Sequence, residues 1–191
     1  MRALFVLLLL WSSLAVAQPA TLPQRLVEGG YAQIGVTLAY DPSYARIAFP
    51  GGDVPLSRGV CSDVVIRAYR RAGIDLQALV NQDMRRDFSA YPKIWHMSHP
   101  DPNIDHRRVP NLATFFRRHG QSLAVTAVAG DYHAGDVVTF QLSNGLAHIG
   151  LVSDRVQEGR PLIIHNIGEG AQLEDVLFAF KITGHYRYLP E

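Results

Sequence analysis

The sequence contains one cysteine, Cys61, among its 191 residues, which excludes an internal disulfide. A secreted chain that used cysteine for stability would carry pairs, and an exposed free thiol is a liability in an oxidising compartment. The cysteine count therefore leaves three interpretations open: Cys61 is a free thiol, a buried inert residue, or a group used in chemistry.

The sequence has one long apolar run, at its N terminus. Ala3–Trp11 follows Arg2 and precedes the small residues Ala15 and Ala17, which is the pattern of a secretory signal peptide. The run is short for a membrane span, and no cysteine follows it to carry a lipid anchor. We predict a signal peptide over residues 1–17, export to the periplasm or beyond, and no membrane anchor after cleavage. A membrane anchor or a buried helix is the alternative.

Neither sign of charge dominates the sequence. It has 18 basic and 17 acidic residues and a formal net charge of +1, so it lacks the charge excess expected of a protein that binds nucleic acid or an anionic membrane. Repeats and low-complexity segments are also missing. Residues 18–191 have the length of one domain, and we expect a single domain and a monomer.

The hydrophobic pattern predicts a helical first half and a strand-rich second half. Helices are predicted at Leu22–Val36, Cys61–Ala72, Asp75 to about Phe88, and Asn111–His119, with loops at Tyr40–Ser57 and Ser89–Pro110. Strands are predicted at Leu123–Ala127, Asp136–Gln141, His148–Ser153, Leu162–Asn166 and Ile182–Tyr188, with a hairpin turn at Asn144-Gly145. This order predicts an α+β domain, in which N-terminal helices pack on a C-terminal antiparallel sheet.

Cys61 stands at the predicted start of a helix, after Gly59 and Val60. Free backbone N–H groups and the positive end of the helix dipole stabilise a thiolate at such a position. The same N–H groups can hold an oxyanion as a carbonyl is attacked, and Gly59 lets a substrate backbone approach closely. The position predicts a nucleophile with a depressed pKa.

A nucleophilic cysteine needs a base, and two of the eight histidines lie at the ends of consecutive predicted strands. His148 begins one strand and His165 ends the next. If the two strands pair, one ring can orient the other, as the third member of a catalytic triad does. Two hydrogen-bonded core histidines are the alternative, but the lone cysteine at a helix start favours catalysis.

The order of these motifs resembles the NlpC-type clan of papain-like cell-wall peptidases. After the helix-start cysteine come Gly-Asp-Val-Val (Gly135–Val138), His-Ile-Gly-Leu-Val (His148–Val152) and Ile-His-Asn (Ile164–Asn166). The resemblance implies a papain-like (NlpC-type) fold that needs no cofactor and acts on peptidoglycan or its peptide fragments. It also implies that Cys61 is the nucleophile, His148 the base and His165 the orienting residue.

A closer resemblance is to an uncharacterised family of exported bacterial proteins, classified only as a domain of unknown function. It rests on Gly59–Ala68, Asn103–Leu112 and Ile182–Tyr188, and it spans roughly Leu26 to Leu189. The sequence also departs from the NlpC-type pattern. Many clan members have Asp before the cysteine and Ser after it, and the pair helps to bind the free amine of a peptidoglycan stem. Here Val60 precedes Cys61, while Ser62 is kept and an acid stands at Asp63, which weakens the case for that amine preference.

The predicted loop Ser89–Pro110 is rich in ionisable residues, which include His96, His99, His106, Asp101 and Asp105. These side chains are potential metal ligands, but the segment is broken by prolines, lacks cysteine and matches no zinc pattern. We therefore predict no metal site, and we expect the loop to form a lid or wall of the substrate groove. Arg107 or Arg108 would then hold a substrate carboxylate. A solvated loop held by local ion pairs is the alternative.

Taken together, the residues and the resemblance predict an exported cysteine hydrolase that cleaves amide bonds in peptidoglycan peptides. The predicted catalytic residues are Cys61, His148 and His165, and the predicted substrate-binding residues are Ser62, Asp63, Asp105, Arg107 and Arg108. Two alternatives stay open. A papain-like acyltransferase needs the same thiolate and base, and a non-catalytic cell-wall-binding module would keep the fold without turnover.

Overall fold

The computed structural model describes residues 18–190, so the predicted signal peptide lies outside the described residues. The helices are α1 (Leu22–Tyr31), α2 (Cys61–Arg71), α3 (Leu76–Arg86) and α4 (Val109–His119). The strands are β1 (Ala39–Tyr40), β2 (Arg58–Gly59), β3 (Gln121–Leu123), β4 (Val137–Gln141), β5 (Ala147–Gln157), β6 (Arg160–His165), β7 (Gln172–Glu174) and β8 (Lys181–Arg187). No helix within this range combines the length and the apolar character that a membrane span requires.

Six strands form one antiparallel sheet, in the order β3-β8-β4-β5-β6-β7. The hairpin predicted at Asn144-Gly145 joins β4 to β5, and Gly145 adopts the positive φ of 83° that such a turn favours. Strands β1 and β2 form a separate parallel pair just before α2. The α+β class predicted from the sequence is therefore confirmed.

The helices cover one face of the sheet, where the larger hydrophobic core lies. Helices α1 and α2 pack closely where they cross, because Gly29 has no side chain. A Cβ at Gly29 would lie 2.9 Å from the Ala68 carbonyl oxygen. Side chains alternate along each strand, so Leu151 joins this core while the next residue, Val152, joins a smaller core on the opposite face. Cys61 belongs to the helix-side core, so the cysteine stands on a helix that is packed against the rest of the domain.

Several predicted elements have different bounds in the structure, among them α1 and β3. Helix α1 ends at Tyr31 rather than Val36, and the Gln33 side chain takes over the carbonyl left free at its end, donating from Nε2 to Gly29 O at 3.0 Å. Strand β3 ends at Leu123, where the predicted strand began, because the chain pairs with β8 directly after α4. Asp75, where the third predicted helix begins, is the N-cap of α3, since its carboxylate accepts from the Gln77 N–H at 2.9 Å.

Candidate active site

Cys61 is the first residue of α2 and is only 3% exposed. The N-cap residue, Val60, has no side-chain acceptor, so a residue of the first helical turn provides the capping hydrogen bond. The Asp63 carboxylate reaches back and accepts from the Val60 N–H at 2.7 Å. This contact fixes the backbone on both sides of the cysteine.

Backbone N–H groups and the Tyr40 side chain lie close to the Cys61 sulfur. Burial raises the pKa of the thiol to about 11, while the N–H groups of Ile149 and Ser62 lower the pKa without compensating for burial. The depressed pKa expected from the helix start is therefore wrong, because desolvation outweighs the helix terminus. Tyr40 lies close to the sulfur. Partial burial first, and then the charge of Cys61, raise the pKa of this tyrosine to about 12.

The two candidate histidines are buried and face each other across neighbouring strands. His148 is near the start of β5, His165 ends β6, and His148 Nε2 lies 2.9 Å from His165 Nδ1. The pairing expected from the sequence is therefore confirmed as a contact, while the roles of the two rings stay a prediction. Burial, and then the neighbouring His165, lower the pKa of His148 to about 3, so this ring is neutral near pH 7.

The thiol lies near strand β5, which also carries His148. The N–H at the sulfur belongs to Ile149, the residue that follows His148. Within residues 18–190, no hydrogen bond joins the sulfur to a His148 nitrogen, and His148 Nδ1 has no hydrogen-bond partner of any kind. The arrangement holds a neutral thiol next to a strand whose neutral imidazole keeps one nitrogen free.

Two side chains of this site were missed by the sequence analysis. Tyr40 lies in the two-residue strand β1, inside a segment predicted as loop, and no local signal marks it. Glu174 ends β7, and its Oε2 lies 2.8 Å from His165 Nε2, although off the direction of the N–H bond. The polar–apolar–polar alternation of Gln172-Leu173-Glu174 was a signal for this strand.

Cys61 lies on the wall of an open groove with a volume of about 340 Å³. Most of the groove is apolar, and part of one wall comes from the segment predicted as a long loop. The lining residues are Tyr40, Pro42, Val60, Cys61, Ile94, Trp95, Ile104, Arg107, Arg108, Val109, Pro110, Leu146 and Ala147. None of them is acidic.

Three of the predicted substrate-binding residues hold that wall to the cysteine helix. Arg107 pairs with both oxygens of Asp63, Nε with Oδ1 and Nη2 with Oδ2, each at 2.8 Å. The Ser62 hydroxyl donates to the Arg107 carbonyl at 2.6 Å. Ser62 and Asp63 are buried and do not line the groove. These three side chains thus connect the residues after Cys61 to the groove wall.

Arg108 is placed differently from its neighbour. Its Nη1 donates to Asp105 Oδ1 at 2.9 Å, and its guanidinium lies over the Trp95 ring at 4.2 Å from the centroid. Asp105 is buried and also accepts from the Asp101 N–H at 2.6 Å. Within the described part of the chain, Arg108 Nε and Nη2 make no hydrogen bond. Arg108 therefore keeps donors available on the groove wall.

The three histidines considered as metal ligands differ in their exposure to solvent. His96 and His99 are exposed, whereas His106 is buried. Across residues 18–190, no group of three or more His, Cys, Asp or Glu side chains is arranged to hold a metal ion.

Comparison with known proteins places the whole site inside one family. The family described as "Domain of unknown function (DUF1287)" matches residues 27–188, a range that contains every side chain of the site. The chain is also 51% identical over 197 residues to "Uncharacterized protein YijF" of Escherichia coli (strain K12), covering 97% of this chain and 96% of that protein. The chain therefore belongs to the DUF1287 family.

Proposed function

We propose that this protein is an exported, papain-like cysteine hydrolase that cleaves amide bonds in peptidoglycan peptides. One observation carries the proposal: a lone thiol at a helix start lies on the wall of a groove and near the backbone N–H of Ile149, the residue that follows His148 of a buried histidine pair. The NlpC-type resemblance of the motifs supports the papain-like fold and the substrate. The signal-peptide pattern of residues 1–17 supports the periplasm as its location.

As the sulfur attacks, the thiol would transfer its proton to His148 Nδ1, the ring nitrogen that has no other partner. The sulfur would attack the substrate carbonyl, and the N–H groups at the start of α2 would stabilise the oxyanion. The amine would leave with the proton from His148, and water would then hydrolyse the thioester, with His148 again acting as base. Because the thiol and the ring are both neutral before reaction, this proton transfer accompanies attack rather than precedes it.

The lining of the groove supports a substrate that carries a carboxylate. The groove has no acidic side chain, so a free substrate amine would find no carboxylate there. Arg107 is neutralised by Asp63, whereas Arg108 keeps Nε and Nη2 available next to the face of Trp95. Stem peptides of peptidoglycan are anionic, and Arg108 is the anchor that this geometry favours.

The test is incubation of the purified protein with muropeptides, with product masses read by mass spectrometry. We expect hydrolysis products from the wild type and none from Cys61→Ala. Arg108→Ala should lower kcat/KM, while Arg117→Ala, a matched charge loss on the neighbouring helix α4, should not.

Other outcomes would identify the alternatives. Products that carry the acyl group on an amine instead of water would show an acyltransferase, which needs the same thiolate and base. Turnover by Cys61→Ala at the wild-type rate, or no turnover by the wild type, would contradict the proposal.

A further inference from the structure

Three ionisable side chains lie in a line across the last strands of the sheet. His148 on β5 contacts His165 on β6 at 2.9 Å, and His165 Nε2 contacts Glu174 on β7 at 2.8 Å. In the register of β6 and β7, Ile163 is paired with Glu174, so His165 is the diagonal neighbour of Glu174 on the same face. The line thus runs from the fully buried His165 to a carboxylate that is 39% exposed.

A carboxylate can only accept hydrogen bonds, whereas a neutral imidazole donates from one nitrogen and accepts at the other. Although Glu174 lies off the Nε2–H direction, the charge of its carboxylate 2.8 Å away favours the proton of neutral His165 on Nε2, and Nδ1 becomes the acceptor. The contact between the two rings then requires His148 Nε2 to carry the hydrogen. The remaining nitrogen of His148, Nδ1, is left unprotonated.

Both rings are neutral near pH 7, which the tautomer argument requires. Burial lowers the pKa of His148 to about 3. Burial also lowers the pKa of His165, and the nearby Glu174 carboxylate only partly opposes that effect. Without a carboxylate at the far end, the two neutral rings could share their hydrogen in either direction. One of those directions puts the hydrogen on His148 Nδ1 and removes its ability to accept a proton.

We infer that Glu174 is a positioning residue, which acts through His165 to keep His148 Nδ1 unprotonated and ready to accept the thiol proton. The assignment of the tautomers depends on the geometry of these three side chains. Its consequence for turnover rests on the proposed cysteine hydrolase function.

The direct test reads the ring nitrogens by long-range ¹H–¹⁵N correlation on the uniformly ¹⁵N-labelled protein near pH 7. A His148→Gln variant assigns the signals. In the wild type we expect Nδ1 of His148 to have the shift of an unprotonated nitrogen and Nε2 that of a protonated one. In Glu174→Ala we expect both His148 shifts to move toward averaged values. Glu169→Ala is the matched control. Glu169 borders the same surface cavity as Glu174 and is exposed, but it does not contact His165.

Turnover of muropeptides gives the second readout. Glu174→Ala should lower kcat by roughly tenfold with KM unchanged, which is less than the ~10²–10⁴-fold contribution of a general base itself. Glu174→Gln, which keeps an acceptor oxygen at the same place, should recover part of the loss.

A wild type with hydrogen on Nδ1 of His148, or a Glu174→Ala spectrum identical to that of the wild type, would overturn the inference and leave the hydrolase proposal standing. A wild type with the expected tautomer that processes no muropeptide would instead confirm the positioning role and overturn the hydrolase proposal. The two failures are therefore distinguishable.

Discussion

Replacing Arg107 with alanine should destabilise the protein by about 3–5 kcal/mol, the cost of removing one partner of a buried ion pair. The side chains of Arg107 and Asp63 are 3% and 4% exposed, and both carboxylate oxygens are bound by the guanidinium. In Arg107→Ala the Asp63 carboxylate would keep the Val60 N–H as its remaining hydrogen-bond donor. A buried charge with one neutral donor is poorly compensated, so the upper half of the range is the expectation.

Arg58→Ala is the control at an exposed ion pair. Arg58 Nη1 lies 3.0 Å from Asp41 Oδ2, and the two side chains are 50% and 25% exposed. Because exposed pairs contribute about 0–1 kcal/mol, we expect a loss of roughly 1 kcal/mol or less for Arg58→Ala. The double variant Asp63→Asn/Arg107→Ala removes the buried charge while keeping an oxygen for Val60, so it should be more stable than Arg107→Ala alone.

Urea denaturation followed by circular dichroism measures these differences, with the free energy of unfolding extrapolated to water. The reasoning is refuted if Arg107→Ala and Arg58→Ala lose the same free energy, or if the double variant is less stable than Arg107→Ala. Either result would mean that Asp63 is solvated or that it finds another partner when Arg107 is removed.

Two further predictions concern the thiol and the strand next to it. Alkylation of Cys61 by iodoacetamide should keep accelerating from about pH 7 to about pH 10, because only the thiolate reacts and burial raises the pKa to about 11; a plateau below about pH 8 would contradict this. Gly150→Ala should destabilise the protein by about 1–3 kcal/mol, because its Cβ would overlap Ile163 Cγ2 and lie 3.4 Å from His165 Cβ. Gly168→Ala, which meets no atom within 4 Å, should stay within about 0.5 kcal/mol of the wild type in the same urea titration, and equal losses for the two variants would contradict the packing argument.

Local signals predicted the elements that carry the thiol and the histidines. The hydrophobic pattern predicted a helix over Cys61–Ala72, and α2 starts at Cys61 as predicted and ends at Arg71, one residue earlier. The alternation of the chain around His148 and His165 predicted strands β5 and β6. The predicted turn between β4 and β5 indicated that these two strands pair as an antiparallel hairpin. These features depend on residues close together in the chain, which is why the sequence shows them.

The parts that the sequence could not supply come from contacts between distant segments. Strand β1 is two residues long and exists because it pairs with β2, which brings Tyr40 to the sulfur. The pKa of Cys61 depends on burial by the surrounding fold, which the helix-start position does not reveal. The roles given to Arg107 and Asp63 changed for the same reason, since their pairing joins residues 44 positions apart.

The burial of Cys61 also bears on how long the protein keeps its thiol. Peroxides oxidise the thiolate and reach it through solvent, so a neutral cysteine that is 3% exposed reacts slowly toward sulfenic acid. In the oxidising compartment proposed for this chain, an accessible ionised thiol would be converted stepwise to irreversible sulfinic and sulfonic acids. Burial and protonation therefore protect the nucleophile from oxidation, and they also slow its reaction with small reagents.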